Sequence, residues 1–522
     1  MIEFFSSLSV TAAGSALILV SALSLVLYLL SACYPVSTHF VRFVYALAAV
    51  NFFLGALYLI ANGFSGQGIN EAVWYHVLYV IGIKEVMQYW EIIFFVPLFF
   101  LLMLGLRRLG RRLTMLKFSN VLVTKSSVSF KAFMCCIFTI LSFTAITVNP
   151  LFSDVVTLTK KIYQNKNSRK LENYLISELP MAAPEPASFV YIYAESLERT
   201  FLDENRYPGL LPNLNAMKNN SVFIEGIYQA PMTDWTIAGI TASLCGVPLA
   251  VYATGRNAPI EFDDFIPAAG CVVDWLVQDR YKLHFMGGAD KQFAGKGSFF
   301  HHHGFDKVYG KQELQELSVD RLPESRWGVY DDALLRAAFS DWEVLDKTTN
   351  RYGLFILTLD THSPIGHETP ECSELAYGDG SNRMLNSVHC SDWILANFIQ
   401  KMLAQSKQKN LVVIVASDHL MMKNYVGLNP DDPERTNLFM AFSKNISPAL
   451  LRRNATTLDI APTFLSLLGY DNNGFSLGRN LFKPAPTLSE SLGREIFFKQ
   501  LINWTMSFWN DSKDNAIADT NN

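Results

Sequence analysis

Three short clusters hold the residues of this chain best suited to chemistry. "FVYIY" (189–193) runs into "AES", which contains Glu195. "LFILTL" (354–359) runs into "DTHSP", with Asp360 and His362, and "LVVIV" (411–415) runs into "ASDHL", with Asp418 and His419. Each cluster follows an unbroken apolar run, the pattern of a strand buried on both faces. Singly, a strand-end Asp serves as a helix cap and a lone His is hydrogen-bonded in place. Taken together, Glu195, Asp418 and His419 form a mixed oxygen and nitrogen donor set. Such a set suits Mn²⁺ or Zn²⁺ better than Ca²⁺, which prefers oxygen cages.

A metal with an open position calls for a nucleophile, and "APMTDWTIAGITASLCGVPL" (230–249) offers two hydroxyls, Thr233 and Thr236. Helical character begins near them. A hydroxyl at a helix start lies at the positive end of the dipole, where backbone N–H groups also favour a phosphate oxyanion. Metal proximity would lower its pKa. Both threonines qualify, and Thr233 reads equally well as an N-cap. Lys296, in the glycine-flanked part of "GGADKQFAGKGSFFHHHGF" (287–305), could reach a phosphate. The consecutive His301–His303 cannot all face one ion on a regular element. Asp331 and Asp332 of "WGVYDD" precede a helix and stabilise its start.

The elements that must position these groups alternate. Strands at 189–193, 282–286, 354–359, 411–415 and 438–442 are separated by amphipathic stretches such as 385–404. That order predicts an α/β domain with a mostly parallel sheet, in which ligands collect at the carboxyl ends of strands. No internal repeat or low-complexity tract interrupts it.

The 522 residues are too many for one ordinary soluble domain, and the apolar half of them is concentrated at the start. Runs 10–31, 43–61, 90–106 and 132–148 predict about four transmembrane helices within a membrane domain of residues 1–150. "RRLGRR" (107–112), Lys117, Lys125 and Lys131 lie between the third and fourth runs, so that loop is expected on the cytoplasmic side. Everything after the fourth helix is then outside, as are the N-terminus and loop 62–89, whose "AVWYHVLYVIGI" could lie at the interface. A linker is expected at 151–187, a catalytic domain at 188–485 and a tail at 486–522. Four cysteines fall in the exterior part, an even count that predicts two disulfides in an oxidising compartment. Three pairings exist, and Cys245–Cys271 with Cys372–Cys390 joins neighbours. A net charge of −4 offers no basic surface for nucleic acid.

"YIYAESLERT", "TDWTIAGITASLCGVPL", "FAGK", "HGFDKVYG", "WGVYDD", "LTLDTHSP" and "SDHL" occur in this order. Weak singly, in order they resemble the phosphoglycerol transferases of osmoregulated periplasmic glucan synthesis. That family belongs to the sulfatase-like branch of the alkaline phosphatase superfamily, with lipoteichoic acid synthase and the lipid A phosphoethanolamine transferases as more distant relatives. The resemblance covers about residues 186–485 and extends weakly to "GQGINEAV" in the loop before the third apolar run.

The resemblance implies a sulfatase-like fold behind a helical membrane region, and one Mn²⁺-type site, with Mg²⁺ or Zn²⁺ as alternatives. The metal ligands map onto Glu195, Thr233, Asp418 and His419. The threonine nucleophile maps onto Thr233, which fits the spacing to "SLCGVP" without a gap. His362 and Lys296 map onto substrate contacts, with His362 also an acid and base, and Asp360 stands beside them. The donor would be phosphatidylglycerol and the acceptor a periplasmic glycan, at a bacterial inner membrane with the catalytic domain in the periplasm. The several aspartates that bind Ca²⁺ in true sulfatases are not seen, and Thr stands where sulfatases use a modified Cys or Ser. Both departures count against sulfate ester hydrolysis. Longer family members carry a further C-terminal region, which leaves the acceptor open. Phosphoethanolamine transfer and phosphodiester hydrolysis are the rival activities.

Overall fold

A computed structural model describes residues 12–33, 36–65, 68–69, 73–74, 90–115, 128–163, 170–177, 181–182, 185–250, 270–408, 410–422, 426–429 and 432–510. The chain divides into two compact units, Met1–Tyr163 and Gln164–Asn522. The first contains helices α1 (Ala12–Cys33), α2 (Thr38–Ser65), α3 (Trp90–Met115), α4 (Val128–Thr147) and α5 (Pro150–Tyr163). Within them, Ser15–Cys33, Thr38–Asn62 and Ser129–Thr147 are long and apolar enough to cross a membrane. Helix α3 carries the third apolar run, with Pro97 inside it. The interfacial segment expected at 72–83, Lys117 and Lys125 lie outside the described residues, except for Val73 and Trp74.

This unit is apolar outward. Leu19, Leu101 and Ile140 are each more than 60% exposed, as a lipid-facing surface requires. A few polar groups are buried inside it and satisfy one another. Asn51 on α2 donates through Nδ2 to Ser24 Oγ (2.9 Å), and Asn149, between α4 and α5, donates to Asn51 Oδ1 (2.8 Å). Buried amide pairs of this kind hold helices together where no water competes. Helix α5 corrects the expected linker 151–187. Pro150 at its first position and the apolar stripe of "LFSDVVTL" support another helix that the charges of "KKIYQNKNSRK" obscured.

In the second unit eight strands make one sheet. They are β1 (Ser188–Ala194), β2 (Val222–Tyr228), β3 (Lys282–Gly287), β4 (Lys307–Tyr309), β5 (Tyr352–Leu357), β6 (Leu411–Ser417), β7 (Phe439–Phe442) and β8 (Ala449–Thr456), in the order β4-β3-β5-β1-β6-β7-β2-β8. All pairings are parallel except those of β7 with β6 and β2. All five strands read from the sequence are in it. The three added strands are those whose patterns are broken: β2 contains Glu225 and a left-handed Gly226, β4 has three residues, and edge strand β8 carries Arg452 and Arg453.

Helices α6 (Thr236–Cys245), α7 (Val272–Gln278), α8 (Lys296–His302), α9 (Asp331–Thr348), α10 (Arg383–Gln405) and α11 (Ile460–Leu467) flank the sheet. Alternate residues of β1 serve the two sides. Val190 and Ile192 pack with Ala338 of α9 and Val388 of α10, whereas Phe189 and Tyr191 join Phe355 and, from α11, Phe464. The structure pairs Cys245 with Cys271 and Cys372 with Cys390.

The expected tail 486–522 also needs correction. A last helix, α12 (Arg494–Asn510), belongs to this unit: Phe497, Leu501, Trp504 and Trp509 are buried, and Trp509 Nε1 donates to Pro248 O (2.8 Å). Its aromatic residues Phe497, Trp504, Phe508 and Trp509 are buried against the domain. Residues 511–522 lie outside the described set.

Candidate active site

Register brings the first cluster together. Along the central pair, Ala194 of β1 is level with Ser417 of β6, so the next residues, Glu195 and Asp418, leave the sheet side by side. Ser196 adopts a left-handed conformation (φ 53°), turns the chain at once, and donates its N–H to Asp418 Oδ1 (2.9 Å) and its hydroxyl to Glu195 Oε1 (2.8 Å). His419 Nε2 lies 3.4 Å from both Glu195 Oε1 and Asp418 Oδ2. All three side chains are buried.

The charges within this cluster conflict unless a cation sits among them. Burial alone would raise Glu195, but the charge and hydrogen bond of the His419 imidazolium outweigh it and hold the carboxyl below its usual range. Burial and the charge of Glu195 push Asp418 up to about 7. Burial opposes protonation of His419, yet Asp418 and Glu195 raise it to about 10.

The donor set fits a divalent metal on two further observations. Asp418 Oδ2 is buried and accepts no hydrogen bond. His419 Nδ1 is 2.8 Å from Leu420 O. A carbonyl only accepts, so Nδ1 carries a proton, and Nε2 is the nitrogen that would bind a metal on giving up its own proton.

The two threonines separate. Thr236 begins α6, and its Oγ1 donates to Glu195 Oε2 (3.3 Å). Thr233 is fully buried and donates to Ala230 O (2.7 Å). A cavity opens beside Glu195, lined by Thr236, Lys291, Phe293, Lys296, Trp327 and His362 among others, and Thr233 is not on its wall. Thr233, the expected nucleophile, instead holds the turn before the helix with its hydroxyl on Ala230 O. Gly239 makes the approach of α6 feasible, because a Cβ there would collide with the carbonyl oxygen of Asp418.

Lys296 and His362 reach the same cavity. Two successive left-handed residues, Ala294 and Gly295, precede Lys296, which is buried and donates to Phe293 O (2.9 Å). Burial lowers its pKa to about 8, against the raising effect of Glu195, Asp290 and Asp418. His362 packs on Trp327 (ring centroids 4.3 Å apart), and its Nδ1 donates to Ser363 O (2.7 Å). Burial lowers its pKa and Glu195 offsets this in part, so the neutral ring prevails.

Asp360, expected among the substrate contacts, is buried beside the start of α9. Its Oδ2 accepts from Asp331 N (3.0 Å), and Asp331 accepts from Leu359 N (2.7 Å) and Asp360 N (3.0 Å). This reciprocal pair fastens the start of α9 to the end of β5. Burial, then mutual repulsion, raises Asp360 well above the usual carboxylate range. The histidine tract diverges as its spacing demands: His301 and His302 are exposed, while buried His303 pairs with Asp274 (2.6 Å). Lys291 and Trp327 are cavity residues that sequence reasoning passed over, although both stand in motifs it singled out.

The fold and this site define a member of the sulfatase family: the family described as Sulfatase matches residues 187–470, more than half of the chain, and the chain belongs to it. Residues 15–168 match the N-terminal domain of phosphoglycerol transferase I. Phosphoglycerol transferase I of Xanthomonas euvesicatoria pv. vesicatoria is 34% identical over 339 residues, 64% of this chain and 48% of that protein. Its counterpart from Salmonella choleraesuis is 36% identical over 347 residues, 65% of this chain and 45% of that protein. The chain thus spans about half the length of the curated relatives it matches. Among solved structures, an alkaline phosphatase superfamily protein from Vibrio parahaemolyticus (24% identity, TM-score 0.51, 63% of this chain and 78% of that chain) shares the fold. So does lipoteichoic acid synthase LtaP from Listeria monocytogenes (16% identity, TM-score 0.50, 68% and 98%).

Proposed function

We propose that this chain is a membrane-anchored phosphoglycerol transferase that moves glycerol phosphate from phosphatidylglycerol to a periplasmic glycan. The observation that carries the reading is Thr236 Oγ1 at the start of α6, on Glu195 and facing a cavity that also holds Lys296 and His362. A hydroxyl there suits covalent catalysis on a phosphodiester better than simple helix capping. The likeness to phosphoglycerol transferase I over both units supports the choice of transferred group.

Glu195, Asp418 and His419 would hold one divalent cation, Mn²⁺ by preference for its mixed donor set. Bound there, it supplies acidity to a neighbouring hydroxyl and neutralises phosphoryl charge. Thr236 Oγ forms a bond to phosphorus as the bond from phosphorus to the diacylglycerol oxygen breaks; the threonine proton passes to His362 and from it to the departing diacylglycerol oxygen, and glycerol phosphate stays on Thr236. Lys296 stabilises the phosphoryl oxygens as charge builds on them. A sugar hydroxyl then bonds to phosphorus as the bond to Thr236 Oγ breaks, passing its proton to Nε2 of neutral His362, which returns a proton to Thr236 Oγ. The apolar helices of the first unit keep the catalytic unit at the inner membrane, on its periplasmic side, and raise the effective concentration of a lipid donor.

Mass spectrometry of the purified full chain with Mn²⁺ and phosphatidylglycerol, without acceptor, tests this. A glycerol phosphate adduct on Thr236 is expected. An adduct formed only with phosphatidylethanolamine would replace the donor, and an adduct on Thr233 would overturn the nucleophile.

A further inference from the structure

Glu198 lies in the quoted motif "YIYAESLERT", and nothing in the chemistry above uses it. It is fully buried, three residues after Glu195, and is paired with buried Arg435. The Arg435 guanidinium engages both carboxylate oxygens, with Nε at 3.1 and 3.2 Å, and a second nitrogen donates to Met421 O (2.6 Å). Glu198 Oε2 also accepts the N–H of Met421 (3.1 Å).

That N–H belongs to the peptide unit joining Leu420 to Met421. The carbonyl of the same peptide, Leu420 O, accepts the Nδ1 proton of His419 (2.8 Å). A planar peptide moves as one body, so fixing its N–H fixes the carbonyl that orients the imidazole. Hydrogen bonds in series also polarise one another. On the other side of this peptide, Leu420 N donates to Gln229 Oε1 (2.6 Å).

We propose that Glu198, held by Arg435, is a positioning residue for the metal site and acts on His419 through the Leu420–Met421 peptide. The arrangement is a carboxylate–peptide–histidine relay, with a peptide inserted where metal sites commonly place a carboxylate directly on the imidazole. The pair has no need to exist for stability alone, since a buried ion pair is often replaced by apolar residues at little cost. Its geometry instead joins the loop after β1 to the loop after β6, the two loops that carry the ligands. The inference rests on the proposed metal site.

The test is Mn²⁺ titration calorimetry, with metal content and thermal melting measured in parallel, on the full chain in detergent. Glu198→Gln should weaken Mn²⁺ affinity at least tenfold, within the range seen when outer partners of metal ligands are lost. The double variant Glu198→Met/Arg435→Met should recover thermal stability relative to Glu198→Gln and still bind weakly. Glu198→Asp, which keeps the charge and shortens the arm, should fall between. Wild-type affinity in any folded variant of this set would overturn the relay, because a purely structural role moves the melting temperature and leaves the affinity alone. Glu195→Gln separates the two levels. If it keeps a full equivalent of metal, the site reading fails; if it loses metal while Glu198→Gln does not, only the relay fails.

Discussion

At the scale of residues, the proposed choice of Thr236 over Thr233 as nucleophile rests on what each hydroxyl touches. Thr236→Ala should abolish the covalent adduct and reduce turnover by at least about 10³-fold, while Thr233→Ala should leave the adduct in place at some cost in stability. Peptide mapping of the adduct in both variants checks this. Lys296 gives a second expectation. Its pKa is lowered to about 8 by burial, so it loses its charge as pH rises through that value, and transfer should decline on the alkaline side. Lys296→Arg keeps the charge and should flatten that limb, whereas Lys296→Met should lower the rate at all pH values by about 10²-fold or more. A pH–rate profile of the three proteins is the measurement. The sequence made most of this site legible, because Glu195, Asp418 and His419 follow unbroken apolar strands and strand ends are where such folds bind ligands. It could not choose between two threonines three residues apart. That choice depends on where a helix begins, and Trp235, with no capping side chain, gives no sign of the boundary. Asp360 shows a related limit: a buried acid looks the same in sequence whether it faces a cavity or a neighbouring helix start.

At the scale of elements, α6 is held at both ends. Its first turn presses on the backbone of Asp418 through Gly239, and its last residue, Cys245, is bonded to Cys271 at the start of α7. Gly239→Ala would add about 1 kcal/mol to helix stability on propensity alone. Here it should lower the melting temperature and suppress the adduct together, because the helix must move away from Asp418. Retention of wild-type adduct formation would show that α6 tolerates the shift. The second disulfide closes a loop of sequence separation 18 between the segment after β5 and α10. Replacing Cys372 and Cys390 by Ser should cost about 3 kcal/mol in denaturant unfolding. Elements missed in the sequence share one property: β2, β4 and β8 are interrupted by charge or glycine, or are too short to show a period. Their place is decided by neighbours in the sheet.

At the scale of the whole molecule, the apolar outer surface of the first unit and the mixed surface of the second imply different surroundings for each. Val319 in the second unit is fully exposed. In spheroplasts, a membrane-impermeant maleimide should label Val319→Cys without lysis, in keeping with the periplasmic placement proposed here. Labelling only after lysis would reverse the topology. Glu195 and the Asp418–His419 pair leave adjacent strands, yet Ser196 and Asp418, which tie them together, are 222 positions apart in the chain. No partial chain ending before β6 can contain the complete ligand set, so a nascent polypeptide emerging across the membrane has nothing with which to capture the ion. On the proposed topology, cargo loading must follow export, and the free metal concentrations of the envelope, rather than those of the cytosol, decide which ion the enzyme acquires.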